Sequence, residues 1–159
     1  MSILENKKFI KKLNKIDQGI DFEKILNSII ERVGLEEQEV ESFNFDIQYP
    51  MEDELGFMFV YNVNIVFKSG IEVVEGIDYE VPMVVYENYE FRSLKIINRS
   101  IQREQSDERL THLKYIRGNF EKLYRIYEDF RDEVNDILFE KLEKLYKEFG
   151  VDIDKKICN

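Results

Sequence analysis

The side chains that could do chemistry are few, and most are carboxylates. Asp78, Glu80, Glu87 and Glu90 fall close together in the chain, and oxygen ligands alone suffice for a hard cation such as Mg2+ or Ca2+. Their surroundings do not complete such a site. Glu90-Phe91-Arg92 sets an arginine where a hydrolytic centre needs a base, and a guanidinium stays protonated. Asp46, Glu52, Asp53 and Glu54 lack the glycine and the spacing of a calcium-binding loop. The single histidine, His112, shows neither the partner nor the cleft that a general base needs, and reads as structural or surface. The one cysteine, Cys158, stands one residue from the C-terminus, without a scaffold to orient a nucleophile. No glycine-rich loop is present to cradle phosphates. The chain therefore reads as non-enzymatic, with no catalytic residues, no metal site and no cofactor.

Binding remains, and charge says where. The net charge is -10, and residues 43–90 hold ten acidic side chains against one basic, Lys68. A field of one sign steers association toward a basic surface and repels nucleic acid. The expected partner-binding set is Glu52, Asp53, Glu54, Glu72, Glu75, Asp78, Glu80, Glu87 and Glu90. Tyr61, Tyr79, Tyr86 and Tyr89 lie among them, either as interface anchors or as filling for the core. Ordinary solubility is the competing account of the acids. A basic band follows, Arg92, Lys95, Arg99, Arg103, Arg109, Lys114 and Arg117, against Glu104, Asp107 and Glu108. Intramolecular pairing with the acidic strands accounts for that band, so direct nucleic-acid binding is not expected.

The elements that must position these groups follow from periodicity. Ile3, Leu4, Phe9, Ile10, Leu13 and Ile16 fit a first helix whose wet face carries Lys7, Lys8, Lys11, Lys12 and Lys15. Asp21 caps a second, with Phe22, Ile25, Leu26, Ile29, Ile30 and Val33 on one side and Gly34 past its end. Strands follow over 43–49, 57–67, 71–74, 77–86 and 89–97, joined by short turns that imply an antiparallel meander. In the second, Phe57, Phe59, Tyr61, Val63, Ile65 and Phe67 alternate with Met58, Val60, Asn62, Asn64 and Val66, so the strand is partly apolar on both faces and reads as central, with helices covering one side. Pro82 marks its strand as an edge or as bulged. From Ser106 the helical period returns through Phe149, as one long helix or two meeting near Arg131-Asp132-Glu133, with Gly118 the only weak point. Its apolar stripe covers the sheet, or else projects as an arm or dimer seam.

The whole reads as one α+β domain over 1–159: a helical part over 1–34, an antiparallel sheet of four or five strands over 40–97, and a long helical element over 106–149. No apolar run is long enough to span a membrane, and the N-terminal residues lack the apolar core of a signal peptide. A lone cysteine fits a reducing cytoplasm. The Lys/Ile/Asn-rich usage of Lys7-Lys8-Phe9-Ile10-Lys11-Lys12-Leu13-Asn14-Lys15, with the small size, the acidity and the lack of catalytic motifs, resembles the anti-CRISPR proteins of phages and mobile elements in low-GC Firmicutes. Those inhibitors share no motif, so the resemblance carries over no individual residue. It implies a stoichiometric inhibitor in the host cytoplasm that blocks a CRISPR effector nuclease through the acidic strands. The alternative is an assembly or scaffolding protein that dimerises through the long C-terminal helix.

Overall fold

The computed structural model describes residues 3–49, 59–76 and 81–151. Glu52, Asp53, Glu54, Asp78, Tyr79, Glu80 and Cys158 lie outside the described residues. The first predicted helix is divided. A 3-10 turn over Ile3–Glu5 precedes α1, Lys7–Leu13. Asn6 is the cause, because its side-chain oxygen accepts the N–H groups of Lys8 and Phe9 at 3.0 and 3.3 Å and so starts a new helix. Helix α2, Phe22–Val33, begins and ends at the residues its caps require. Asp21 accepts the Lys24 N–H at 3.0 Å, and Gly34 takes φ +84° while the Leu35 N–H closes on the Ile30 carbonyl.

Five strands form one antiparallel meander in chain order: β1 (Val40–Gln48), β2 (Phe59–Phe67), β3 (Ile71–Val74), β4 (Met83–Tyr86) and β5 (Tyr89–Phe91). Cross-strand register aligns Phe43, Ile65, Val73, Val84 and Phe91 in a row facing the helices. All but Phe43 of that row are fully buried. Two sequence expectations change here. Pro82 neither sits at a sheet edge nor makes a bulge; it precedes β4, an inner strand, where its missing N–H disturbs no ladder. The last strand stops at Phe91 instead of running to Ile97, and α3, Leu94–Arg103, takes over. Ile97 and Ile101, four apart, turn that helix's apolar side to the core.

Helices α4 (Asp107–Gly118) and α5 (Phe120–Glu148) meet at the Gly118–Asn119 junction, and Arg131-Asp132-Glu133 is continuous helix. At about 1.5 Å per residue, the 29 residues of α5 span roughly 44 Å. Phe130 meets Phe43 and Phe45 edge-on at 5.7 and 5.9 Å, and Phe22 of α2 closes on Phe45 at 4.9 Å. Arg32 of α2 reaches both Asp129 and Glu133 of α5, at 3.3 and 2.8 Å. Val134, Leu138 and Leu142 are fully buried within the chain, so this stripe covers α5's own neighbours. No helix among the described residues is long and apolar enough to cross a membrane.

Candidate functional site

The middle of β2 departs from simple alternation. Asn44 faces Asn64, but Asp46, two residues on, faces Tyr61, three residues back. The extra residue makes a bulge at Asn62, which adopts φ +53°. Before the bulge the faces exchange: Val60 turns inward at 2% exposure and Phe59 outward at 44%. The predicted common face of Phe59, Tyr61 and Val63 is therefore corrected. Side chains hold the bulge in place. Glu75 accepts the Asn62 N–H on Oε2 at 2.6 Å and the Tyr127 hydroxyl on Oε1 at 3.0 Å. Asn135 accepts the Val60 N–H at 2.7 Å, and Asn62 Nδ2 donates to Asp46 at 2.9 Å. Burial, and then the bond to Glu75, push the Tyr127 phenol up. Arg131 lies over the Tyr127 ring at 5.5 Å. A cleft of about 500 Å³ opens here between β2 and α5, with Phe59, Tyr61, Glu75, Arg131 and Asn135 in its wall.

The sheet has a second face. Register places Ser42, Val66, Glu72, Val85 and Glu90 in one outward row, and Asn44, Asn64, Val74 and Met83 in the next. Val66, Val74, Met83 and Val85 belong neither to the core nor to the side chains packed against it, and they are half-buried. They form an apolar strip. Glu72 stands within it between Val66 and Val85, and Glu90 lies at its β5 end. Two strand spacings separate Glu72 from Glu90, roughly 10 Å. Asp46 projects from the far edge strand on the same side.

The expected contact set thus separates. Glu72 and Glu90 share the outward face. Glu75 holds the bulge. Glu87, in the β4–β5 turn with φ +51°, pairs with Arg109 of α4 at 2.7 Å. Tyr86 is buried and its hydroxyl meets His112 Nδ1 at 2.6 Å, which ties β4 to α4; burial and then Glu87 push its phenol up. Tyr89 donates to Glu104, and that bond, followed by the Ser106 N–H, holds the Glu104 carboxyl below the usual carboxylate range. The sequence shows the second strand as apolar on both faces, which covers Val66, but not the extension of this strip through Val74, Met83 and Val85. Its signal is in Ile71-Glu72-Val73-Val74 and Met83-Val84-Val85-Tyr86, where apolar residues occupy both phases of the strand. Among the described residues no three of His, Cys, Asp and Glu gather as a metal site would require. No protein-family model, curated protein or solved structure matches this chain.

Proposed function

We propose that this chain is a non-enzymatic inhibitor that acts by binding a protein partner with a basic surface through the outward face of its sheet. One observation carries the reading: Val66, Val74, Met83 and Val85 lie outside the core and are interleaved with Glu72 and Glu90. An apolar centre with charged groups around it is the anatomy of a protein interface, and the carboxylates would select a basic partner and speed its approach. The partner class implied by the resemblance is the effector nuclease of a CRISPR system, and the place of action is the cytoplasm of a bacterial host.

The test is cleavage of target DNA by purified effector nucleases titrated with the chain. Inhibition that saturates at a fixed molar ratio is the expected result. Val85→Glu puts a charge into the centre of the strip and should weaken inhibition roughly 30-fold or more, the scale of a central interface residue. Glu72→Lys with Glu90→Lys should slow association about tenfold or more, and should lessen its dependence on salt. Full inhibition by all these variants, at unchanged melting temperature, would remove this face from the interface.

A further inference from the structure

The helix that replaced a predicted strand carries an unexplained charge. Helix α3 holds no acidic residue. Ile97 is fully buried and Ile96 and Ile101 pack against the core, which leaves Lys95, Asn98, Arg99, Gln102 and Arg103 exposed along the other side. Arg92, just before the helix, is exposed as well. The expected intramolecular pairing accounts for Arg109, which holds Glu87, but among the described residues it reaches none of Arg92, Lys95, Arg99 and Arg103. Lys95, Arg99 and Arg103 follow at four-residue steps, so like charges face one another along the helix, an arrangement that weakens it. The first turn also lacks an acid, and Ser93 makes no capping bond, so nothing local offsets the positive end of the helix. Of the nearby carboxylates, Glu104 is engaged by Tyr89 and Glu87 by Arg109.

We propose that the outer face of α3 binds duplex nucleic acid, with Arg92, Lys95, Arg99 and Arg103 on the phosphates. The inference is independent of the docking face on the sheet. Net charge speaks against a polyanion, but charges more than a Debye length away, about 10 Å at 0.1 M salt, are largely screened. A helix about 10–12 Å across fits the major groove of B-DNA, about 12 Å wide. Arg99, Arg103, Asn98 and Gln102 are the side-chain types that pair with phosphates and with base edges there. A bilayer is the weaker candidate, because the isoleucines it would take up are already packed against the core.

Fluorescence anisotropy of a short mixed-sequence duplex, measured across salt concentrations, tests this. Four phosphate contacts predict a slope of log affinity against log salt near -3.6, roughly a 150-fold loss between about 50 and 200 mM. Arg99→Gln with Arg103→Gln should bring the slope to about -1.8 without moving the melting temperature. Lys8→Gln with Lys11→Gln, on the other lysine-rich helix, should leave it unchanged. The proposal is overturned by no binding at low salt, or by a slope indifferent to the α3 changes. Equal sensitivity to the α1 changes, or tighter binding to a single strand or to phosphatidylserine vesicles than to the duplex, also overturns it.

Discussion

Glu75 was expected at a docking surface and is found inside the fold's hydrogen bonding, and the substitution Glu75→Gln separates the two roles. Each carboxylate oxygen accepts one bond, from the Asn62 N–H at 2.6 Å and from the Tyr127 hydroxyl at 3.0 Å. Glutamine keeps the shape but offers one oxygen, so one of the two donors then faces an NH2 group. A hydrogen bond to a charged group is worth about 1.5–3 kcal/mol and a neutral one about 0.5–1.5. Losing one charged bond and neutralising the other comes to about 2–4 kcal/mol, and the half-buried position of Glu75 places the result at the lower end, about 2 kcal/mol. For a domain of this size that lowers the melting temperature by about 4–8 °C. Thermal and urea unfolding at neutral pH read the change directly. Glu72→Gln, on the outward face, should leave both transitions in place. A Glu75→Gln protein within about 0.5 kcal/mol of the wild type, the scatter of ordinary surface changes, would show that the carboxylate does not hold the bulge.

Two further outcomes follow from the same geometry. Gly34→Ala should cost about 1–2 kcal/mol, because φ +84° is unfavourable for any residue with a Cβ, although that Cβ would stand a tolerable 3.6 Å from Lys122 Nζ; urea unfolding measures it. Alkaline unfolding should be steep. Burial first, and then the bond to Glu37, push the Tyr115 phenol from 10.0 to about 12, and burial raises Tyr127 and Tyr146 as well. A raised folded value means a contribution fully present below pH 10 and lost as pH climbs through 12, so tyrosinate absorbance and helix loss should rise together in that window. Ionisation of Tyr115, Tyr127 and Tyr146 near pH 10 with the helices intact would contradict it.

Sequence reasoning succeeded where local chemistry decides and failed where a distant partner does. Asp21 and Gly34 could be read because a cap acts within four residues of itself. Gly118 shows as a weak point for the same local reason, although the expected division near Arg131-Asp132-Glu133 is not the one that forms. The bulge was not readable. Met58 and Val60 are apolar as well as Phe59 and Tyr61, so a period of two cannot choose between the faces, and the one local hint is that Asn62 tolerates positive φ. The role of Glu75 was out of reach, since Tyr127 lies 52 residues away. Helix α3 was missed because Tyr89-Glu90-Phe91 is a genuine strand, and the β-branched Ile96 and Ile97 invite its extension until packing of Ile97 and Ile101 decides otherwise.

The position of Glu72 bears on the docking face proposed above. Charges that serve solubility gain most where water surrounds them, as at the exposed Glu41 of the edge strand β1. Glu72 is placed otherwise. It is half-buried on a central strand with Val66 and Val85 as its cross-strand neighbours, and among the described residues no basic group pairs with it. Val66 and Val85 offer this carboxylate neither a hydrogen bond nor a counter-charge. A partner that lays an apolar surface on the strip removes the remaining water, and the uncompensated charge would then disfavour binding by several kcal/mol unless the partner brings a cation to it. In the proposed interface Glu72 would select as well as attract, admitting basic partners and rejecting neutral ones. Glu72→Gln should accordingly broaden what the face binds while weakening the basic partner, and competition between neutral and basic variants of one partner surface reads both effects at once.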